Sequence, residues 1–591
     1  MKLHLILLLA VAALLPFYTH GQKLTQNIRG TINDQDSQSP LVGATVIVVG
    51  SNPFIGTVTD INGHFRIADV PVGRVTLKIT FMGYEERTVP NLLITSGKEE
   101  IVNVMLVESV NNLEEIIISG DLQKGEVLNE MAVVSAHTFS VEETQRFAGS
   151  FDDPARLVSG FAGVQGNAEG NNDIIVRGNS PRGILWRMEG IAIPNPNHFA
   201  GEGSTGGPIN ALSSKMLSNS DFFTGAFAPE YGDATSGVFD MKLKNGNNEQ
   251  HEYTASLSTL GVDMTTEGPF SSALRASYIA NYRYSALDLL DQAGVVDFGG
   301  VPRYQDMSFK LALPLNSKHL FSLFGLGGLS GIDTEETDEE DTERIIGKFN
   351  GRNKMGVLGF AHTYQINEDM YLRTTLAATG TGNNFKYAIP DETDHFYDIQ
   401  SGRITKTSGI AATTFNYKIN ASHKLETGII VARLAFDMDA HEFDFDEDVL
   451  VNELQEKGSS ATLQGYASWK YRLTEDLTMV GGLHYLRFTL NNNYSIEPRL
   501  SVRWQVSEKQ SFHAGVGIHS KLESLSTYLA KRYDDNDTYT QPNKDLELTK
   551  AAHVVVGYDN RIAENAHLKL EAYYQRLYDV PIEPSPGLTF R

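Results

Sequence analysis

The fold class is decided by one stretch of the sequence, Thr462-Leu463-Gln464-Gly465-Tyr466-Ala467-Ser468-Trp469-Lys470-Tyr471. In an extended strand, successive side chains point to opposite faces. The odd-numbered positions of this stretch are apolar or small, whereas the even-numbered ones are polar or carry a hydroxyl. Alternation with apolar residues outward, polar residues inward and an aromatic end is typical of a membrane-spanning β-strand. The stretch therefore predicts a transmembrane β-barrel.

The connections between such strands differ in length along residues 249–591. Short polar turns are predicted at 268–272, 315–318, 366–369, 419–422, 474–476, 507–509 and 563–565. Longer polar linkers are predicted at 331–354, 380–405, 438–459 and 521–547. Short turns at one end and long loops at the other are typical of outer-membrane barrels, whose long loops face the outside of the cell.

The number of strands follows from these turns. Two strands flank each turn, which gives about 14, and a fold around residues 259–261 would give about 15. A barrel that encloses a plug needs roughly 22 strands. Open edges within lipid leave backbone amides unsatisfied at several kcal/mol each. We therefore expect a partial barrel that lacks about seven or eight C-terminal strands of the full count.

The N-terminus predicts an exported protein. Lys2 precedes a run over residues 3–15 that is apolar except for His4, and Thr19-His20-Gly21 places small residues before a cleavage point. This pattern predicts a signal peptide over residues 1–21. No later segment has 18 consecutive apolar residues, so we expect any membrane-spanning part to be a barrel.

Residues 22–107 are predicted to form a β-sandwich of short strands separated by turns. Asn62-Gly63 lies between alternating apolar positions and predicts a β-hairpin. Gly43-Ala44-Thr45-Val46, residues 59–65 and Gly83-Tyr84 resemble the carboxypeptidase regulatory-like domain. The segment contains one histidine, His64, and the resemblance implies a periplasmic accessory module rather than an enzyme.

A second resemblance covers residues from about 112 to 248. Helix starts are predicted at 139–144 and at Pro154. The motifs that follow are Gly163-Val164-Gln165, Ile174-Ile175-Val176-Arg177-Gly178, Trp186-Arg187-Met188-Glu189-Gly190-Ile191 and the segment 229–238. In this order they resemble the plug of TonB-dependent receptors. The sequence thus predicts a mostly β protein with a linker at 108–120, a small α+β plug domain at 121–248 and a partial antiparallel barrel at 249–591.

The linker carries a candidate partner-binding strand. It consists of Leu113, Glu114, Glu115, Ile116, Ile117, Ile118 and Ser119. An extended, β-branched segment of this kind is able to add to the sheet edge of a partner. The resemblance implies a TonB-box-like strand that binds a TonB-like energy-coupling protein. The alternative is an ordinary first strand of the next domain.

The resemblance also implies roles for residues of the plug. Arg177 would lie inside the barrel, and a buried arginine requires carboxylate partners, for which Glu189 and Glu230 are the candidates. Two loops are expected to face outward and to contact ligand. Their candidate residues are Asn179, Arg182, Asn195, Asn197, His198 and Phe199. The alternative is that these are turn-forming residues without a ligand.

Composition excludes several other functions. The net charge of -24 disfavours a nucleic-acid partner, and the absence of cysteine excludes thiol catalysis and Cys-ligated zinc. Acidic runs at 333–343, 441–448 and 534–537 lack EF-hand spacing and are interpreted as solvated loops. No phosphate-binding loop or nucleophile elbow is present in the sequence. We expect no catalytic residues, no metal and no cofactor.

These features predict a receptor in the outer membrane, in contact with its lipid, with the N-terminal domain in the periplasm. It would import a scarce or large extracellular ligand with energy from contact with an inner-membrane partner. An iron chelate, a cofactor, a glycan and a peptide all remain open as the ligand. The alternative function is that of a surface or periplasmic interaction protein that does not transport.

Overall fold

The computed structural model describes residues 24–110, 128–139, 141–147, 149–150, 153–166, 173–201, 203–204, 206–258, 261–271, 273–285, 302–338, 344–445, 448–507, 509–533, 538–563 and 566–582. The predicted signal peptide and the TonB-box-like strand at 113–119 lie outside these residues. The chain divides into two compact units: Met1–Asp34 with Pro40–Val107, and Gln35–Ser39 with Glu108–Arg591.

The first unit is a β-sandwich, as predicted. Its strands are β1 (Thr25–Asp34), β2 (Thr45–Val48), β3 (Gly56–Val58), β4 (His64–Pro71), β5 (Gly73–Thr80), β6 (Arg87–Ile94) and β7 (Glu100–Leu106). One sheet has the order β4-β1-β7 and the other the order β3-β2-β5-β6. Alternate apolar residues of both sheets, including Ile28, Val46, Leu77 and Ile79, form the core between them.

The predicted hairpin at Asn62-Gly63 is wrong. Strands β3 and β4 belong to different sheets, and β4 pairs with β1 instead. The Asp60 carboxylate accepts hydrogen bonds from the backbone N–H groups of Asn62 and His64 at 2.8 and 2.9 Å. Gly63 has a φ of +72°. The local residues thus specify a turn, but they do not specify which strands pair across it.

The plug forms the first part of the second unit. Its elements are β8 (Ala136–Phe139), α1 (Val141–Arg146), α2 (Pro154–Val158), β9 (Val164–Gly166), β10 (Ile174–Val176), β11 (Ile184–Met188), β12 (Ile191–Ala192), β13 (Asn197–His198), β14 (Ile209–Asn210), β15 (Ser220–Phe223) and β16 (Gly237–Met241). Five of these strands form a sheet of order β12-β11-β16-β15-β8. Trp186 stacks on Phe239 with ring centroids 4.2 Å apart in its core. Pro154 opens α2 as predicted, behind an Asp153 cap.

The rest of the second unit is one large antiparallel sheet. Its strands and connecting elements are β17 (Glu252–Ser258), β18 (Gly261–Ser271), β19 (Ala276–Tyr284), β20 (Arg303–Pro314), β21 (His319–Thr337), β22 (Ile345–Gln365), β23 (Met370–Pro390), β24 (Phe396–Asn420), β25 (His423–Asp444), β26 (Val449–Arg472), β27 (Leu477–Phe488), β28 (Tyr494–Ser507), β29 (Gln510–Lys521), α3 (Leu525–Leu529), β30 (Arg532–Tyr533), β31 (Tyr539–Thr540), β32 (Thr549–Ala563) and β33 (Ala566–Tyr578). Fifteen of these strands pair in sequence order from β17 to β33, with β30 and β31 forming a separate pair.

The stretch that decided the fold class lies in β26 and alternates as predicted. Leu463 and Trp469 are 41% and 48% exposed on the outer face, whereas Ser468 and Lys470 are 1% and 6% exposed on the inner face. The inner face contacts the plug from β18, where Asp263 binds Lys215, to β33, where Glu571 binds Arg177. The sheet therefore curves around the plug. Among the described helices, none has the length and apolar character needed to cross a membrane.

The two ends of the sheet differ, though less than predicted. Strands meet at short turns at 315–318, 366–369 and 419–422, which define the short-turn end. At the opposite end, three of the four predicted long linkers are wrong, because β21–β26 continue through most of 331–354, 380–405 and 438–459. Beyond the lipid both strand faces meet water, so the apolar alternation that signals a strand disappears while the backbone pairing continues. We call this end the hairpin end.

Candidate functional site

Arg177 attaches the plug to the wall of the sheet. It follows β10, and its Nη2 donates to the Glu571 carboxylate on β33 at 2.6 Å. The same nitrogen donates to the hydroxyls of Ser135 and Thr224 at 3.0 and 2.9 Å. The guanidinium carbon lies 4.6 Å from the ring centroid of Tyr573. Burial lowers the pKa of Arg177, which Glu571 partly offsets.

The partner of Arg177 differs from the expected ones. It is Glu571, 394 residues further along the chain, whereas Glu189 and Glu230 bind other cations. All three acidic side chains lie in ion pairs. Glu571 reaches Arg177 because the folded sheet brings β33 beside the plug. A motif search within the plug cannot find a partner supplied by the barrel.

Glu189 forms a second attachment between plug and wall. Its carboxylate accepts from Lys310 Nζ on β20 at 2.9 Å and from Arg373 Nη2 on β23 at 3.0 Å. It also accepts from the backbone N–H of Leu243 at 2.9 Å. Burial raises the pKa of Glu189, but the two cations and these hydrogen bonds outweigh it and lower the pKa to about 2. The carboxylate is therefore ionised at neutral pH.

Glu230 belongs to an ion pair within the plug itself. Its carboxylate lies 3.4 Å from Arg187 Nη1, and the carboxylate of Asp240 lies 3.7 Å from the same nitrogen. Tyr231 donates to Asp240 at 2.8 Å, and its ring lies under the Arg187 guanidinium. This cluster fixes the segment 229–238 against the central strands of the plug sheet.

Three of the predicted ligand residues hold their loop in place. The Asn195 amide donates to the backbone carbonyl of Gly206 at 2.7 Å, and its oxygen accepts from the N–H of Asn197 at 3.1 Å. His198 is 2% exposed, and its Nε2 lies 3.0 Å from the Asp306 carboxylate on β20. Burial lowers the pKa of His198 despite this neighbouring carboxylate. These contacts favour a positioning role for all three residues.

The other three candidates are more accessible. Arg182 is exposed in a short turn at Pro181–Gly183, whose start is capped by Ser180. Asn179 is half-buried and donates to Gln575 on β33. Phe199 is half-buried and has a φ of 59°, and its backbone N–H donates to Ser330 at 3.3 Å. Both loops lie toward the hairpin end, because Gln575 and Ser330 occupy the parts of β33 and β21 that run toward that end.

Sequence reasoning missed the residues on the wall that receive the plug. Asp306 and Lys310 are buried on β20 beside outward-facing neighbours such as Met307, which is 50% exposed. A charged residue in the inward phase of a barrel strand is the signal that would have found them. Within the described ranges, no group of three or more histidine and carboxylate side chains has a geometry suited to a metal ion.

A plug lined on its outside by an antiparallel sheet whose own outer face is apolar is typical of plugged outer-membrane β-barrel proteins. Comparisons with known proteins agree. Residues 281–589, more than half of the chain, match the family described as TonB dependent receptor-like, beta-barrel, and residues 28–118 match the CarboxypepD_reg-like domain. The chain belongs to the TonB-dependent receptor family, a family of outer-membrane proteins.

Known relatives are distant. The TonB-dependent transporter Oar of Myxococcus xanthus is 23% identical over 255 residues, 41% of this chain and 22% of that protein. The chain thus matches about a fifth of the length of this curated relative. The ferric enterobactin receptor PfeA of Pseudomonas aeruginosa has a TM-score of 0.55 at 14% identity, covering 75% of this chain and 71% of the other. The siderophore receptor PirA of Acinetobacter baumannii has a TM-score of 0.55 at 15% identity, covering 75% and 70%. These solved structures show a shared fold.

Proposed function

We propose that the chain is a receptor that binds an extracellular ligand at the hairpin end and imports it into the periplasm. In this proposal the strand at 113–119 binds a TonB-like protein anchored in the inner membrane. A pull on that strand would rearrange the plug and open a path for the ligand. The domain boundaries predicted from the sequence, with a periplasmic module at 22–107 and a plug at 121–248, are part of the same proposal.

The observation that carries the proposal is the way the plug is attached. Arg177 and Glu189 link it to three different strands through charged groups. Charged groups remain favourably solvated when water replaces their partners, whereas separated apolar surfaces do not. Attachments of this kind therefore support a plug that is held firmly at rest and is able to shift when it is pulled.

Ligand contact is assigned to the accessible residues of the two plug loops. Arg182, Asn179 and Phe199 offer a cation, an amide and a ring toward the hairpin end. Asn195, Asn197 and His198 would position the second loop from beneath. Siderophores are ligands of the solved relatives, and for this chain an iron chelate is one class of ligand beside cofactors, glycans and peptides.

The alternative is an interaction protein that does not transport. The accessory sandwich favours it, because a separate compact unit of two sheets presents a binding surface without any need for the plug to move. Import requires the strand at 113–119 to bind a TonB-like protein, whereas an interaction protein that does not transport has no need of it.

The substitution Ile117→Pro separates them. Proline removes a backbone N–H and cannot pair within a sheet, so it blocks strand addition to a partner. We expect the purified full chain to capture the periplasmic domain of TonB, and the Ile117→Pro variant to lose at least tenfold in affinity. Ser119→Ala, which keeps the N–H, is the matched control. Equal capture by all three proteins, or by none, would contradict the transporter function.

A further inference from the structure

Part of the inner face of the barrel, toward the hairpin end, is apolar, although a polar surface is expected there. Membrane barrels enclose a polar interior, yet six inward-facing residues of β24 to β27 toward the hairpin end are apolar and buried. They are Ile404, Phe436, Met438, Leu454, Leu486 and Phe488. We call this surface the luminal apolar wall. It lies beyond the level at which the plug fills the barrel, since Ala412 and Ala432 on the same strands pack in the core that contains the plug.

A short helix, together with Leu548, covers the luminal apolar wall. Helix α3 places Leu525, Tyr528 and Leu529 in the same apolar cluster. The Tyr528 ring lies 5.2 Å from the ring of Phe488, measured between centroids. Ser524 caps the helix by accepting from the N–H of Thr527 at 3.3 Å.

The helix depends on the wall for its structure. A helix of five residues is far too short to be stable alone, because nucleation fixes several residues before hydrogen bonds accumulate. Burial of its three apolar side chains against the wall therefore stabilises the helix. Any ligand that offers similar side chains would compete for the same surface.

We propose that the luminal apolar wall is a binding site for the apolar side chains of an extracellular peptide, and that α3 occupies this site until such a peptide displaces it. We assign the ligand to the class of peptides because the wall is filled by amino-acid side chains of α3. The wall already receives a leucine, a tyrosine and a second leucine from one helical turn. The proposal deepens the import function proposed above and rests on it for its biological meaning.

The plug contacts the segment that precedes α3, so a change in the position of α3 would reach the plug. The backbone N–H of Leu522, three residues before the helix, donates to the Asp233 carboxylate of the plug at 2.8 Å. Lys521 Nζ donates to the Asp233 backbone carbonyl at 3.1 Å. Displacement of α3 would pull on both bonds, and so a bound peptide would change the plug segment 229–238.

The test measures peptide binding by the purified full chain in detergent, with no energy-coupling protein present. The probe is a fluorescent, end-capped pentapeptide with the α3 sequence, Leu-Ser-Thr-Tyr-Leu, followed by anisotropy. An intramolecular competitor acts at an effective concentration of about millimolar. We therefore expect the variant L525S/Y528S/L529S to bind the probe at least tenfold more tightly than the parent chain. Adding F436S and F488S to that variant should abolish the gain, and the control peptide Ser-Ser-Thr-Ser-Ser should not bind.

Equal affinity of the parent and the triple variant, or binding of the control peptide instead, would overturn the proposal. Failure here leaves TonB capture by 113–119 unaffected, so the two proposals fail separately. A second measurement covers the case in which the triple variant does not fold. The chain has no cysteine, and Leu529 is 3% exposed, so Leu529→Cys should react slowly with a maleimide. Addition of the probe peptide should accelerate labelling severalfold, and an unchanged rate would count against the proposal.

Discussion

At the scale of single residues, three plug residues that attach the plug share an unusual backbone conformation. Arg177, Glu189 and Asp233 have φ values of 53°, 51° and 56°. Left-handed φ is costly for residues with a Cβ, about 1–3 kcal/mol each, and is kept only where the surroundings enforce it. At all three positions the side chain reaches a group supplied by the barrel or by the segment before α3. Each of these three attachment residues therefore has a strained backbone conformation.

Glu189→Gln tests the most heavily paired of these residues. The folded pKa of about 2 lies below the ordinary value of 4.5, so the carboxylate stabilises the plug fully above about pH 4.5. That stabilisation is lost as the pH falls through about 2. The glutamine leaves Lys310 without its buried counter-charge, so the free energy of local opening should fall by ~3 kcal/mol at pH 7.

Hydrogen exchange of the Leu243 amide, which donates to Glu189, measures this opening. The difference between parent and Glu189→Gln should be constant from pH 7 to 5 and should shrink toward pH 2. Asp398→Asn removes a half-exposed partner of Lys386 and is the control, expected to leave this exchange unchanged. A difference that does not depend on pH would refute the assigned role of the Glu189 charge.

At the scale of elements, two neighbouring strands pack closely where a glycine on one strand lies opposite an aromatic ring on the other. Gly428 on β25 pairs with Tyr466 on β26, and a Cβ added at Gly428 would lie 2.3 Å from that ring. The Tyr466 hydroxyl donates to Glu426 at 3.1 Å, so the ring cannot move aside without losing this bond. Gly465, on the outer face, has its nearest neighbouring atom 3.9 Å from a built Cβ.

Gly428→Ala should therefore reduce the yield of folded barrel, whereas Gly465→Ala should not. Overpacking of this kind costs about 1–3 kcal/mol. The measurement is the fraction of heat-modifiable protein in gels after extraction from outer membranes. If the two variants fold equally well, the ring of Tyr466 does not constrain the pairing of β25 with β26.

Particular elements explain how far the sequence determines this fold. Apolar alternation located the lipid-facing parts of the strands, because lipid and lumen impose opposite requirements on the two faces. It did not locate the ends of β21 to β26 at the hairpin end, where water surrounds both faces. The Asn62-Gly63 turn was found, but its strand pairing was not, since a turn sequence carries no information on distant partners. The pairing of Arg177 with Glu571 and the luminal apolar wall were also missed, because both depend on contacts between residues that are far apart in the sequence.

At the scale of the whole molecule, the side of the membrane on which each end lies remains a prediction. The absence of cysteine allows single labels to report it without background. Glu392 is exposed in the connection between β23 and β24 at the hairpin end, and Glu368 is exposed in the turn between β22 and β23 at the short-turn end. Import from outside requires the hairpin end to face the medium, because the plug loops that we propose to contact ligand lie toward that end.

We therefore expect Glu392→Cys to react with a membrane-impermeant maleimide on intact cells, and Glu368→Cys to react only after the outer membrane is permeabilised. Both side chains lie in polar connections, so neither change should alter folding, and equal labelling of the two purified proteins in detergent checks this. The reverse pattern on cells would place the plug loops in the periplasm, where they could not meet an extracellular ligand. Labelling of both positions on intact cells would mean that the chain is not inserted across the outer membrane, and the interaction-protein function would then be favoured over import.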